Sequence, residues 1–184
     1  RRHTRYGTVT GVQTCALPIS AAQLGTSFQA TVRGEDFLEL NRPGVEALPA
    51  MDVVIANPPY FKMSPTEIRG GDAPNAYARF MEVAAAQLRP GGQLLFIVPR
   101  SFASGFYYQR FRRRFHANMS LEAVHLFDSR RDAFLEDAVL QENIIVQYRK
   151  GATTKTKTKT VEISSSAGVS DLGQRRIFQA PREL

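Results

Sequence analysis

The stretch Met51-Asp52-Val53-Val54-Ile55-Ala56-Asn57-Pro58-Pro59-Tyr60 decides the fold of this chain. Its first six residues form a short, continuous apolar run rich in Val and Ile. Such a run predicts a strand buried on both faces of a parallel sheet. The run must stop at Asn57-Pro58-Pro59-Tyr60, because two prolines remove two ladder donors and cannot continue a central strand. In an open parallel sheet, ligands bind in the crevice beyond the carboxyl ends of the strands. The tetrapeptide therefore falls where function is expected.

Working outward, Phe28 to Val32 reads as a strand, Arg33 to Leu38 as the loop at its end, and Asn41 to Ala50 as a connector. Phe61 to Pro74 is polar and glycine-rich, hence a loop. Apolar residues at helical spacing predict a helix from Ala76 to Leu88, ended by Pro90-Gly91-Gly92. Gln93 to Val98 is a second buried strand. Ser101 can cap a helix running to about Phe115, with Phe106, Tyr107, Phe111 and Phe115 on or near one face. Leu121 to Phe127 and Val139 to Tyr148 are two more strands. Strands alternating with helices predict an α/β fold. Beyond Gly151, alternating Thr and Lys followed by VEISSS fits an edge strand with solvated lysines or a flexible tail. No repeat of solenoid period is visible.

Composition narrows the classes. The chain has 184 residues, 43% hydrophobic and 22% charged, which is globular rather than disordered usage. No apolar run approaches the roughly 20 residues of a membrane helix. A single cysteine excludes an internal disulfide framework, and the three histidines have no metal-site spacing. No Ser-His-Asp order sits beside a strand–helix elbow. The net charge of +7 allows an anionic partner without proving one. Part of that charge lies in Arg1 to Ile19, RRHTRYGTVTGVQTCALPI, which resembles the conceptual translation of a sequencing-library adapter. Setting it aside removes three arginines and no acid, so 24 basic and 17 acidic residues become 21 and 17. The lone cysteine goes with it. On this reading the natural chain starts near Ser20.

Asn57-Pro58-Pro59-Tyr60 suits one chemistry. The exocyclic amine of adenine is a poor nucleophile because its lone pair is delocalised into the ring. Two acceptors placed at its N–H groups would localise that pair and aim it. The side-chain oxygen of Asn57 is one acceptor. The carbonyl of Pro58 can be the other, since proline fixes φ and with it the direction of nearby carbonyls. A residue before proline is held extended, which fixes Asn57. Tyr60 offers a ring face for a base, and stacking is worth about 1–3 kcal/mol per base. Such a site works mainly by positioning.

An Asn-Pro-Pro-Tyr after a hydrophobic strand resembles the motif of S-adenosylmethionine-dependent amino-methyltransferases, especially adenine-N6 DNA methyltransferases. GEDFLEL at Gly34 to Leu40, the stretch from Asn75 to Phe115, and HLFDSRRDAFLEDAVLQENIIV at His125 to Val146 are similar to the subgroup tied to bacterial type II restriction–modification systems. The likeness runs from about Phe28 to Ser166, in the gamma arrangement. It implies a partial Rossmann-like, doubly wound methyltransferase domain with a mostly parallel sheet and an antiparallel strand in its C-terminal part. It implies a bacterial, cytoplasmic enzyme that methylates N6 of a flipped adenine in duplex DNA, beside a restriction endonuclease or a fused nuclease domain.

Carried over residue by residue, Asn57, Pro58, Pro59 and Tyr60 match the catalytic motif. Asp36 matches the acid that accepts from the cofactor's adenine, with Phe37 beside it, although Asp36 also fits a simple turn former. Phe134 lies near the place of a second aromatic for the flipped base, and also fits a core phenylalanine. Arg100, Arg130 and Arg131 follow strands and are candidate DNA contacts. Arg110, Arg112, Arg113 and Arg114 could neutralise phosphates or form a solvated helix face. No residue between Ser20 and Phe28 matches the family's glycine-rich cofactor loop, and the region that reads DNA sequence is largely missing. The expected organisation is 1–19 adapter-derived, 20–150 catalytic half, and 151–184 an extension toward that region, with weak or no cofactor binding by the chain as written. The same motif serves methyltransferases of ribosomal RNA and of protein glutamine, and a non-catalytic DNA-binding subunit could keep the fold.

Overall fold

The computed structural model describes residues 37–39, 50–61, 73, 75–128, 142–151, 160–168 and 171–181. The chain divides into two compact units, Arg1–Ala47 and Leu48–Leu184. In the first, a 3₁₀ turn spans Phe37–Glu39, where a loop is expected. The strand expected at 28–32, Asp36, and the whole of residues 1–19 lie outside the described residues, as do Arg130, Arg131 and Phe134.

In the second unit the described strands form one six-stranded sheet. They are β1 (Met51–Ala56), β2 (Leu88–Pro99), β3 (Met119–Phe127), β4 (Asn143–Lys150), β5 (Thr160–Ser166) and β6 (Arg176–Pro181). Their order is β1-β2-β4-β3-β5-β6. β1 pairs parallel with β2 and β3 parallel with β5, whereas β4 runs against both β2 and β3, and β6 against β5. Four strands thus share one direction, and the α/β architecture with antiparallel strands toward the C-terminus is the one expected. Among the described residues three helices accompany them: α1 (Ala76–Gln87), α2 (Ser101–Ser104) and α3 (Gln109–Asn118).

One sheet face carries the core. Leu94, Phe96 and Val98 of β2 face the same way, all fully buried, and pair across β4 with Tyr148, Val146 and Ile144. Alternation in both strands puts every second side chain on this face. α1 packs on β2 through buried Tyr77, Met81 and Ala84, and α3 brings buried Phe111 and Phe115, four residues apart, against the same layer. Phe115 stacks on Phe111 at 5.4 Å and meets Tyr148 edge-on at 5.1 Å.

Several expectations need correcting. β1 is not buried on both faces: Val53 is 48% and Ile55 71% exposed, because β1 is the outermost described strand. α1 stops at Gln87, and Pro90-Gly91-Gly92 lies inside β2 rather than before it. The chain absorbs it as a bulge between the pairs Met51–Leu88 and Val53–Gln93, with Gly91 at φ 82°, a conformation that favours glycine. The long helix from Ser101 is broken in two at Gly105, with a 3₁₀ turn over Phe106–Tyr108, and Ser101 is the first residue within the helix, the cap position being Arg100. Phe106 and Tyr107 consequently sit outside the buried face. VEISSS is not an edge: β5 is paired on both sides, and β6, absent from the sequence reading, is the outermost described strand there.

The β3–β5 seam contains one buried titratable group. His125 Nδ1 lies 2.9 Å from Ser164 Oγ and Nε2 lies 3.0 Å from Ser166 Oγ. The Ser166 hydroxyl spends its proton on the Gly168 carbonyl at 2.8 Å. Nε2–H must therefore donate to Ser166, and in the neutral ring Nδ1 accepts from Ser164. Both ring nitrogens have a partner. Burial chiefly, and Arg175 in addition, hold its pKa below the ordinary histidine value, outweighing Asp171 and Asp128.

Candidate active site

The carboxyl ends of β1, β2 and β3 lie at one end of the sheet because these strands share a direction. Asn57 leaves β1 there and is exposed, while Pro58 behind it is buried and Pro59 and Tyr60 are half-buried. Two trans-directing constraints act on Asn57: the strand ladder before it and the proline after it. The next turn is anchored, since the Phe61 carbonyl accepts from the Ala76 N–H at 3.1 Å, at the start of α1.

Asn75 builds that start. Its side-chain oxygen accepts from the Ala78 N–H at 3.1 Å as an N-cap, and its Nδ2 donates to the Tyr108 hydroxyl at 2.7 Å. The Tyr108 ring lies against Tyr77 at 5.6 Å, and Tyr77 meets Tyr60 edge-on at 6.0 Å. A continuous aromatic wall therefore links the turn after α2 to the candidate tetrapeptide. Aromatic edges on faces stabilise such a wall by about 0.5–1.5 kcal/mol per pair beyond burial.

Tyr60 closes the arrangement. Its hydroxyl lies 2.7 Å from Asn57 Oδ1 and 3.0 Å from the Ile97 carbonyl of β2. Both neighbours are acceptors, and a phenol has one proton, so only one contact at a time is a full hydrogen bond. Burial pushes the Tyr60 pKa well above the usual phenol value, so the group stays protonated and can serve only as donor to these oxygens.

The other sequence candidates fall out differently. Arg100 follows β2 at the same sheet end, where it pairs with Glu142: its N–H donates to the Glu142 carbonyl at 2.7 Å and its guanidinium lies 3.2 Å from Oε2. Arg112 is structural, donating to the carbonyls of Phe102 at 2.6 Å and Gly105 at 2.9 Å. Arg114 pairs with Glu82 of α1. Arg110, Arg113 and Arg114 are all exposed on this helix. The sequence reading missed Asn75, Tyr108 and Ile97. Asn75 carried a signal, an asparagine immediately before a helical pattern; the Ile97 carbonyl carried none.

A cleft of about 440 Å³ lies at the opposite, amino end of β1 and β2, lined by Asp52, Arg89, Gly91 and Arg149 among others. Its charges are spent internally: Arg89 pairs with Asp52, and Arg149 binds Glu122 and the Gly91 carbonyl. It has no part in the site. Of the two residues expected to hold S-adenosylmethionine, Asp36 lies outside the described residues and Phe37 belongs to the first unit.

The fold, with an exposed amide at the end of a parallel strand, is that of the S-adenosylmethionine-dependent methyltransferases. A class I methyltransferase structure from Listeria monocytogenes superposes with a TM-score of 0.58 at 18% identity, over 73% of this chain and 41% of the other. The family model for the Eco57I restriction-modification methylase matches residues 24–134, and the chain belongs to that family. Among curated relatives, the type II methyltransferase M.PstI of Providencia stuartii is 35% identical over 176 residues, 89% of this chain and 33% of its own. M.BsuBI of Bacillus subtilis is 37% identical over 119 residues, 61% of this chain and 23% of its own. The chain thus spans about a third or less of the length of these relatives.

Proposed function

We propose that the protein transfers a methyl group from S-adenosylmethionine to the N6 amine of an adenine flipped out of DNA, as the modification arm of a bacterial restriction–modification system. The observation that carries the reading is exposed Asn57 at the carboxyl end of β1, its carboxamide oxygen 2.7 Å from the Tyr60 hydroxyl. Membership in a restriction-modification methylase family, and relatives named type II methyltransferases, support DNA as the substrate.

In this reading the chain's residues bind and orient. Asn57 Oδ1 and the Pro58 carbonyl accept the two N–H groups of the amine, which localises its lone pair on nitrogen and points it at the methyl donor. Tyr60 supports the base, offsetting part of the cost of unstacking it. Pro59 holds the turn that keeps the two acceptors apart. Asp36 and Phe37 contact the adenosyl part of the cofactor, which supplies the electrophilic methyl group when bound. Phe134 covers the other face of the base, and Arg100, Arg130 and Arg131 lie along the DNA. A restriction endonuclease, separate or fused, shares the recognition sequence, and both act with DNA in the cytoplasm. Among the described residues no helix is long and apolar enough to cross a membrane.

Methylation assays on the gene's full product, with radiolabelled S-adenosylmethionine and duplex DNA, RNA and a release-factor-like protein as competing substrates, test the reading. Label should enter N6-methyladenine in DNA and be lost on Asn57→Ala. Label in RNA or glutamine, or an undiminished Asn57→Ala, overturns it.

A further inference from the structure

We infer that Phe106 and Tyr107 form a rigid aromatic wedge that stacks on the bases of duplex DNA beside the candidate site. This rests on the DNA reading above and extends it to a surface that reading does not use.

Phe106 is 86% and Tyr107 67% exposed, the two most exposed large aromatics among the described residues. Side chains of this size are rarely left this exposed when a core lies next to them. Here the backbone keeps them out. Gly105 ends α2 with its N–H on the Ser101 carbonyl at 2.7 Å, and a side chain at this position would meet that same carbonyl at 2.5 Å. Arg112 reaches back from α3 and donates to the carbonyls of Phe102 and Gly105, clamping the turn from beneath. Phe102 is buried below it, and Tyr108 is bolted to Asn75. Tyr107 rests edge-on against Tyr108 at 5.3 Å. The two rings are thus presented by a turn with anchors on both sides, so little freedom is lost when they engage a partner.

The chemistry around them selects the partner. Of the five arginines between Arg100 and His116, three serve partners within the protein: Arg100 pairs with Glu142, Arg112 with the turn carbonyls and Arg114 with Glu82. Arg110 and Arg113, three residues apart, share an exposed face of the helix that begins directly after the wedge. Flat apolar rings flanked by guanidinium groups match stacked bases flanked by phosphates. The rings are also placed where such a contact is useful. Tyr108, next to Tyr107, joins Tyr60 through Tyr77, so the wedge lies at the same end of the sheet as Asn57. A base drawn out of the duplex leaves an unstacked step, and an inserted ring lowers the cost of that gap.

The experiment measures fluorescence anisotropy of a fluorescein-labelled duplex with the gene's full product, its Phe106→Ala and Tyr107→Ala variants, and Arg113→Ala, with a thermal melt of each. Each ring removed should weaken binding by about 5- to 150-fold, the span of base–aromatic stacking, with an unchanged salt slope and melting temperature. Arg113→Ala should lower the salt slope by about one. Equal binding by wild type and ring variants overturns the wedge and leaves the DNA reading intact. A lowered melting temperature overturns it by showing the rings packed within the protein, and dissociation of a dimer by the ring variants overturns it by showing an interface between copies. Absence of duplex binding by the wild type overturns the wedge together with the DNA reading.

Discussion

The Tyr60 hydroxyl sits 2.7 Å from Asn57 Oδ1, so the oxygen assigned to the substrate amine is held by a side chain three residues further on. The Ile97 carbonyl, 3.0 Å away, gives that hydroxyl a second place to put its proton. Tyr60 can therefore keep Asn57 oriented before substrate arrives and release it by turning to β2. Tyr60→Phe removes the competition and keeps the ring. It should leave base binding, read with 2-aminopurine in the target position, within about 2-fold, and cost about 1 kcal/mol of stability for the lost hydrogen bond. Tyr60→Ala removes the stacking face and should weaken base binding by about 1–3 kcal/mol. Equal losses from the two variants would show that the hydroxyl, not the ring, carries Tyr60's role.

Arg112 should behave unlike its neighbours in the arginine cluster. Its guanidinium serves the carbonyls of Phe102 and Gly105 inside the protein. Arg112→Ala should cost about 1–3 kcal/mol in urea unfolding, because two partly buried carbonyls lose their donor. The salt dependence of DNA binding should stay that of the wild type. A slope reduced by about one would move Arg112 into the phosphate-contacting set.

Gly105 should resist any side chain. Its space is closed by the Ser101 carbonyl, and backbone cannot swing aside as a flexible side chain can. Gly105→Ala should destabilise by about 1–3 kcal/mol, the usual range for overpacking. Unfolding at the wild-type urea midpoint would contradict this.

His125 gives the fold a pH dependence of known sign. Its pKa is lowered in the folded protein, by burial first, so the unfolded chain takes up the proton before the folded one does. Stability from this group is fully present above the ordinary histidine value of about 6.5, declines as pH falls through it, and levels off below the folded pKa. NMR titration of the His125 ring should show a pKa below that of the unfolded chain, with melting temperature falling over the same window. A titration at or above the ordinary value would contradict burial as the dominant influence on the ring.

Much of this was local enough to read directly. A Val/Ile-rich run stopped by two prolines determines a strand end, because proline's missing N–H acts within its own residue. Phe111 and Phe115 determine a buried helix face because four residues make about one turn. Strand order is another matter. That β4 inserts antiparallel between β2 and β3 depends on which ladders close best across the whole sheet, and no residue of β4 encodes its neighbours. The exposure of Val53 and Ile55 follows from β1 being the outermost described strand, so their hydrophobicity alone suggested the opposite.

The candidate site divides the same way. The amino-acid sequence alone determined Asn57, the prolines and the tyrosine, since their chemistry and order lie within four residues. Only the tertiary structure decided that Tyr60 reaches Asn57 and the Ile97 carbonyl, that Asn75 holds Tyr108, that Arg112 turns inward, and that Phe106 and Tyr107 face out. These depend on distances between groups 7 to 37 residues apart, apart from the Tyr60–Asn57 contact itself, which depends on a rotamer. Hydrogen bonds act over about 3 Å of space whatever the separation along the chain, so such pairings exist only once the sheet has brought its strand ends together.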